Sequence, residues 1–149
     1  MKAFERTIEI EASPSEVWTV LTDLERFGEW NPYLVEVEGR AELGARLRVR
    51  FEPPGGRAAT LRPHVTEIRT DEVLEWWGHV GLRGILDGRH RFELRATPAG
   101  TTFVQHETFT GLLLPFFAKG LADSTPAGFE LMNQALKERA EKLHGGAAI

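Results

Sequence analysis

The most regular pattern of apolar residues lies near the end of the chain, between Leu112 and Leu143. Apolar side chains recur there mostly every three or four residues, which is the spacing of one face of an α-helix. The members of this stripe are Phe117, Leu121, Phe129, Met132, Leu136, Ala140 and Leu143. Pro126 interrupts the stripe, and Thr125 before it is a residue type that caps helix N-termini. The pattern therefore predicts a kink or a restart at the proline, followed by a regular helix to about Lys142.

The chain before Leu112 mostly alternates between apolar and polar residues, which is the two-residue period of β-strands. Seven strands are predicted, over residues 4–11, 35–39, 43–52, 58–68, 73–79, 89–96 and 102–110. Two short helices are predicted between the first two strands. Ser13, Pro14 and Glu16 have the pattern of an N-cap, a first-turn proline and a capping box. Asp23 is predicted to cap the second helix.

These elements predict an α+β fold in which a large antiparallel sheet packs against one long helix, because neither element can bury its apolar face alone. An antiparallel sheet of seven strands twists strongly and curls. One helix and a short helical hairpin are too small to fill the space that such a curved sheet encloses. We therefore expect a cavity between the sheet and the C-terminal helix, and concave apolar sites of this kind are where small molecules bind.

Composition and charge limit the classes of function. The chain has 149 residues, no cysteine and a formal net charge of −4, and it contains no basic run. These features predict one domain over residues 1–149, exclude thiolate chemistry and argue against nucleic-acid binding. No apolar stretch is long enough for a membrane span, and the charged N-terminus is not typical of a signal peptide, so a cytoplasmic location is expected.

His90 and Glu107 are the strongest candidates for chemistry. Alternation places both on the apolar face of their strands, where ionisable residues are rare unless they are paired. If the turn between these strands spans residues 98–101, the two are diagonal neighbours, and if the turn is two residues shorter they face each other directly. Such a pair can act as a general acid and base, anchor a ligand, or only order the sheet. The residues alone leave these three roles open.

Several other side chains are predicted to face the cavity. Together with the two candidates above, the predicted ligand-binding set is Trp30, Phe51, Trp76, His90, Phe92, Gln105, Glu107, Phe109, Phe117 and Leu121. As a set, the aromatic members favour a flat or greasy ligand, although each alone is also an ordinary core residue. Gln105 can orient a carbonyl or hydroxyl group of the ligand.

The sequence contains no motif for a metal or a cofactor. His64, His79 and His106 are predicted to lie on the outer face of the sheet, and no histidine–carboxylate spacing fits a metal site. The glycines of residues 78–88 lack the spacing of a nucleotide-binding loop, so no cofactor is predicted. Trp77 is also predicted to point outward, where it can mark an edge contact or a homodimer interface.

Several motifs, taken together with the order of the elements, resemble the START-like (SRPBCC) superfamily over essentially the whole chain. These motifs are Ala12-Ser13-Pro14-x-x-Val17-Trp18, Leu21-Thr22-Asp23, Trp30-Asn31-Pro32, His90-Arg91-Phe92-Glu93-Leu94 and Glu107-x-Phe109-x-Gly111. Within the superfamily, the chain looks most like the polyketide cyclase/dehydrase-like branch. The resemblance implies the helix-grip fold, with an internal pocket for a lipid, a polyketide or a similar molecule.

Three functions agree with these observations. The first is binding of a small hydrophobic or aromatic molecule in the cavity. The second is a cyclase- or dehydratase-like enzyme that uses Glu107 and His90 without a metal or nucleotide cofactor. The third is a protein–protein adaptor that uses the outer sheet face or Trp77. The motifs indicate the fold of the superfamily and do not choose between these functions.

Overall fold

The computed structural model describes residues 1–146 of the chain. Its strands are β1 (Lys2–Ile10), β2 (Leu34–Glu38), β3 (Arg48–Phe51), β4 (Ala59–Leu61), β5 (His64–Arg69), β6 (Val73–Val80), β7 (Leu86–Thr97) and β8 (Gly100–Thr110). Its helices are α1 (Pro14–Thr22), a 3-10 helix (Leu24–Glu29) and α2 (Leu114–His144). The α+β class and the long C-terminal helix agree with the prediction from the sequence.

The strands form two antiparallel sheets that are joined by a β-bridge and the backbone hydrogen bonds around it, between residues 44–47 and 63–65. The larger sheet has the order β1-β8-β7-β6-β5, and the smaller sheet has the order β2-β3-β4. The bridge joins Arg46, which precedes β3, to His64 at the start of β5. The described residues form eight strands rather than the predicted seven, because the strand predicted over 58–68 is interrupted at Arg62 and Pro63. Proline has no backbone N–H to donate to a strand ladder, so a continuous strand is unfavourable there.

The two helices between β1 and β2 differ from each other in type. Ser13 and Glu16 form the predicted capping box, in which each side chain accepts a hydrogen bond from the backbone N–H of the other residue. Asp23 occupies the N-cap position of the second helix as predicted, but its side chain makes no capping hydrogen bond. Its carboxylate pairs instead with Arg26 at 3.0 Å. This hairpin contributes Val17, Leu21, Leu24 and Phe27 to the core.

Helix α2 runs without interruption through Pro126, so the predicted restart is wrong, whereas the alternative of a kink stays a prediction. Thr125 lies inside the helix and is buried, rather than capping an N-terminus. The second half of the apolar stripe packs into the core, where Phe129, Met132, Leu136 and Ala140 are fully buried. This packing stabilises the helical conformation across the proline, as tertiary contacts commonly do. The first turns are less covered, and Phe117 is 46% exposed there.

Strands β7 and β8 form a hairpin that carries the central part of the inner face of the larger sheet. Thr97 pairs with Gly100, so the turn contains only residues 98–99. This is the shorter of the two turns considered from the sequence, and it places His90 directly opposite Glu107.

Trp77 lies on the outer face of β6, as alternation predicts. It is partly covered there by the side chains around it. The ring centroids of His64 and His79 lie 5.5 and 5.6 Å from its own, and the guanidinium group of Arg83 lies 5.2 Å from its centroid. The homodimer interface predicted at this residue stays a prediction.

Candidate ligand-binding site

A cavity of about 150 Å³ lies between the smaller sheet, the end of the larger sheet and helix α2. It is lined by Tyr33, Phe51, Pro53, Arg57, Ala59, Leu61, Val80, Leu86, Glu107, Phe109, Leu121, Ser124 and Thr125. The cavity reaches the surface, because Arg57, Ala59 and Val80 in this lining are exposed. Glu107 is the single carboxyl group in the lining.

A second cavity of about 40 Å³ adjoins the first, and Glu107 lines both of them. Space exists at this point because Gly78 and Gly88 pair across β6 and β7 without side chains. A methyl group on Gly88 would lie 3.0 Å from Oε2 of Glu107, and one on Gly78 would lie 3.1 Å from the ring of Pro63. The lack of side chains at these two glycines therefore makes room for the carboxyl group of Glu107 and the ring of Pro63, which both line the smaller cavity.

The carboxyl group of Glu107 is held in its uncharged form. Among the described residues, the group within ion-pair distance of it is His90, and no lysine or arginine is that close. Burial raises the pKa of Glu107 to about 8, because surroundings of low polarity favour the neutral acid. At neutral pH the side chain is therefore mainly a carboxylic acid, which offers one O–H donor and one carbonyl acceptor.

His90 lies behind Glu107 and is fully buried. Its Nδ1 atom is 3.4 Å from Oε1 of Glu107, which is longer than the usual N–O hydrogen bond of about 2.7–3.2 Å. Within the described residues, Nδ1 has no hydrogen-bond partner. Burial lowers the pKa of His90 to about 4, so the imidazole is neutral at neutral pH. The pair consists of two uncharged groups and is not a salt bridge under these conditions.

His90 belongs to a chain of buried polar side chains that crosses the core to helix α2. Its Nε2 atom lies 2.8 Å from Oε1 of Gln105. Gln105 in turn donates from Nε2 to Oδ1 of Asn133 at 2.9 Å. Because Gln105 presents its oxygen to His90, Nε2 of His90 is the protonated nitrogen and Nδ1 carries the free lone pair.

Tyr33 closes the cavity beside helix α2. The side chain of Asn31 accepts hydrogen bonds from the backbone N–H groups of Tyr33 and Leu34, both at 2.9 Å, and so orders the chain before β2. The ring of Tyr33 packs on the helix backbone, where a methyl group on Gly128 would overlap it. Burial, and then the nearby Glu107, raise the pKa of Tyr33, so its hydroxyl group stays uncharged.

Half of the predicted ligand-binding residues line the cavities. Phe51, Glu107 and Phe109 line both, Leu121 lines the larger one and Trp76 lines the smaller one. These side chains come from three different strands and helix α2. Their role in binding a ligand stays a prediction.

The other half lie away from the cavities. His90, Phe92 and Gln105 are fully buried behind the lining, because the core around them is filled by packed side chains. Phe117 lies on the exposed first turns of α2. Trp30 lines a separate open groove on the surface between α1 and α2. The sequence showed that the first three face inward, but not that the space in front of them is occupied.

Sequence reasoning missed Tyr33 and Asn133. Asn133 lies four residues after Phe129 and three before Leu136, so a polar residue on the apolar stripe of the helix was the available signal. Tyr33 follows Pro32 in a segment that predicts a turn, and a turn does not reveal the direction of the next side chain.

Two kinds of site are not found in residues 1–146. No group of three histidine, cysteine, aspartate or glutamate side chains could hold a metal ion. None of the helices in this range is both long enough and apolar enough to span a bilayer.

Comparison with known proteins confirms the resemblance seen in the sequence. A family model described as "Polyketide cyclase / dehydrase and lipid transport" matches residues 1–141. The fold is similar to that of an aromatase/cyclase from Streptomyces sp. R1128, with 17% identity and a TM-score of 0.77 over 95% of this chain and 94% of that chain.

Two further solved structures are similar. A START superfamily protein from Mycobacterium smegmatis matches with 21% identity and a TM-score of 0.72, over 95% of this chain and 98% of that chain. The di-domain ARO/CYC protein of the steffimycin biosynthetic pathway matches with 15% identity and a TM-score of 0.77, over 96% of this chain and 52% of that chain. At these identities the matches show the fold alone. No curated protein matches the chain.

Proposed function

Because the chain belongs to the polyketide cyclase/dehydrase and lipid transport family, we propose that it binds a small hydrophobic or aromatic molecule between the sheets and helix α2. The observation that carries this proposal is a mainly apolar cavity that reaches the surface and holds one uncharged acid. Ligand sites in proteins typically combine an apolar lining with a few polar groups that orient the ligand. The proposal treats residues 1–149 as one ligand-binding domain.

The volume of the cavity limits the size of the ligand. A cavity of about 150 Å³ holds one benzene-sized ring, and the larger cavity here has that volume. A single aromatic ring or a short chain therefore fits inside. A longer molecule has to continue through the opening beside Arg57, where the guanidinium group favours a negative or polar end.

Filling the cavity tests this proposal. Leu121→Trp adds bulk to a residue that lines the cavity, whereas Leu131→Trp adds the same bulk to an exposed residue of the same helix. We expect toluene and ethylbenzene to bind the unchanged protein and Leu131→Trp in isothermal titration. The Leu121→Trp variant should bind them at least about tenfold more weakly. Equal affinities in the two variants would place any binding elsewhere and contradict the proposal.

A second candidate function is proton transfer from Glu107 to the bound molecule, as in a cyclase or dehydratase. The observation that favours it is a carboxyl group that faces the cavity with a pKa of about 8, since a general acid works best when its pKa lies near the working pH. His90 lies behind this acid, and its Nδ1 atom can accept a hydrogen bond from it. Glu107→Gln should then lower the turnover of an identified substrate about 100-fold or more. Unchanged turnover would reject the catalytic role.

A further inference from the structure

The hydrogen bonds that join the buried polar side chains behind the cavity, His90, Gln105 and Asn133, all run in the same direction. This direction is set at Asn133 on helix α2. Gln105 donates a hydrogen bond to Oδ1 of Asn133, so its own oxygen faces His90. That oxygen can only accept, which requires a proton on Nε2 of His90. A neutral imidazole carries one proton, so Nδ1 is left as an acceptor.

The next member of the chain is Glu107. Its Oε1 atom is the group 3.4 Å from Nδ1 of His90, and Nδ1 has no hydrogen-bond partner within the described residues. Its other oxygen, Oε2, lies 3.0 Å from where a Cβ atom of Gly88 would be, and Gly88 and Glu107 both line the smaller cavity. The two oxygens of one carboxyl group therefore have separate neighbours, one in the core and one in the cavity.

A neutral carboxyl group satisfies His90 in one way only. If its proton is on Oε1, the O–H group can donate to Nδ1 after the two atoms approach by a few tenths of an ångström. Oε2 is then the carbonyl oxygen of the acid and can only accept. Every hydrogen bond in the series Glu107, His90, Gln105 and Asn133 then joins one donor to one acceptor. The acceptor left without a donor is Oε2 of Glu107, which faces the cavity.

We propose that the cavity selects molecules that carry a hydroxyl group, such as a phenol, because their O–H group donates to Oε2 of Glu107. This inference rests on the proposed function and names the chemical class of its ligand. The bound hydroxyl group completes a series of hydrogen bonds that runs from the ligand through His90 and Gln105 to helix α2. Hydrogen bonds aligned in one direction strengthen one another in surroundings of low polarity.

A ligand of the same shape that only accepts hydrogen bonds is disfavoured. An aldehyde or ketone oxygen requires the acid proton on Oε2, and Nδ1 of His90 then stays without a partner in the core. A buried acceptor that loses its partner costs more than an ordinary hydrogen bond contributes. The hydroxyl group of Ser124, which also lines the cavity, already donates to the carbonyl oxygen of Gly120 at 2.8 Å.

The first test concerns the protein without ligand. Nitrogen-15 spectra of the imidazole rings distinguish the two neutral tautomers, and the signals of His90 are assigned by their loss in His90→Phe. We expect a proton on Nε2 and none on Nδ1. A proton on Nδ1 would mean that the chain runs in the opposite direction and would overturn the inference.

The second test compares phenol, toluene and benzaldehyde, which share one aromatic ring. Phenol can donate a hydrogen bond, toluene can neither donate nor accept one, and benzaldehyde can only accept one. Isothermal titration at about pH 6.5 gives their Kd values for the unchanged protein and for Glu107→Leu. The ratio of the toluene Kd to the phenol Kd should be about tenfold larger in the unchanged protein than in Glu107→Leu. The conservative variant Glu107→Gln should restore this advantage, because its amide can donate to Nδ1 of His90 and accept from the phenol.

The outcomes separate this inference from the proposed function. If the three compounds bind with the same relative affinities in the unchanged protein and in Glu107→Leu, the cavity binds ligands but Glu107 does not select them. If benzaldehyde binds more tightly than phenol and Glu107→Leu abolishes this preference, the hydrogen bonds run in the opposite direction. That result would also overturn the inference. If none of the compounds binds, the proposed function fails together with it.

Discussion

Two glutamates of the larger sheet show how differently its two faces treat a carboxyl group. Glu75 on β6 faces outward and Glu107 on β8 faces inward, and each is 6% exposed. Burial acts to raise the pKa of both. For Glu75, hydrogen bonds from Arg89, Arg91 and Thr66 outweigh burial and lower the pKa. For Glu107, burial alone raises the pKa to about 8.

Neighbouring groups, rather than depth, make this difference. Nη1 of Arg89 lies 2.6 Å from one oxygen of Glu75, and Nη1 of Arg91 lies 2.8 Å from the other. Within residues 1–146, the group at ion-pair distance from Glu107 is the neutral ring of His90, and no lysine or arginine is that close. One face of the sheet therefore stabilises charges against one another, whereas the other face keeps its polar groups uncharged and joins them by hydrogen bonds.

The largest expected loss of stability comes from interrupting the buried hydrogen bonds that join His90, Gln105 and Asn133. Gln105→Leu leaves Nε2 of His90 and Oδ1 of Asn133 without partners in the core, which should lower the free energy of unfolding by about 3 kcal/mol. Chemical denaturation measures this loss. The control is Gln134→Leu on the exposed side of α2, which should change stability by no more than about 0.5 kcal/mol. A similar small effect of both variants would show that the chain does not stabilise the fold.

Stability should also fall as pH rises from 6.5 to 8. In this range the folded protein keeps the proton of Glu107 up to a pKa of about 8, whereas the unfolded chain has lost it above the ordinary value of 4.5. The unfolded state thus binds fewer protons, and the free energy of unfolding should decrease by about 2 kcal/mol over this range. Glu107→Gln should remove this decrease.

Below pH 6.5 the effect of Glu107 is opposed by His90. The folded pKa of His90, about 4, lies below its ordinary value of 6.5, so the unfolded state binds more protons in between and His90 makes stability rise with pH. From about pH 4.5 to 6.5 the two slopes should nearly cancel. A Glu107→Gln variant with the same pH dependence as the unchanged protein would contradict the raised pKa of Glu107.

A smaller loss is expected on the outer face. Arg91 bonds to Glu67, Glu75 and Glu93, so Arg91→Met should cost about 1.5 kcal/mol and raise the pKa of Glu75. Arg95 is the matched control, because it is exposed and its salt bridge is to Glu93. Arg95→Met should cost less than about 0.5 kcal/mol. Carbon-13 titration of the Glu75 carboxyl group would contradict the comparison if its pKa were the same in both variants.

The smallest expected effect is a difference in salt dependence between the outer and inner faces of the larger sheet. Raising the salt concentration from about 0.05 M to about 1 M screens partly exposed charges and leaves buried neutral groups unaffected. The loss of stability caused by Arg91→Met should shrink by about 0.5 kcal/mol, whereas the loss caused by Gln105→Leu should not change. Denaturation of both variants at the two salt concentrations measures this, and equal salt dependence would remove the distinction.

Alternation along the strands carried most of the correct sequence predictions. It placed His90 and Glu107 on the inner face, and the short turn at residues 98–99 selected the alternative in which they face each other. The helix start at Ser13 followed from local hydrogen bonding, which needs few distant contacts. Patterns of this kind depend on neighbouring residues, so the sequence reveals them directly.

The cavity itself depends on distant contacts and could not be located from the sequence. The inner part of the cavity requires Gly78 to pair with Gly88. The register of β6 and β7 that pairs them depends on a connecting loop whose shape the sequence does not specify. The position of Asn133 depends on the rotation of α2 about its axis, which the packing of Phe129 and its neighbours decides. Local propensity at Pro126 likewise allowed a restart of the helix that does not occur, because packing held the helix together.

The hairpin of β7 and β8 bears on the order of events during folding. Its two-residue turn brings His90 within reach of Gln105, 15 positions later, whereas Asn133 lies 28 positions beyond Gln105. Closing a short loop costs less chain entropy than closing a long one. Most of the polar series can thus form within the hairpin before the last helix docks. Pulse-labelled hydrogen exchange during refolding should protect the amides of β7 and β8 earlier than those of α2, and the reverse order would exclude this sequence of events.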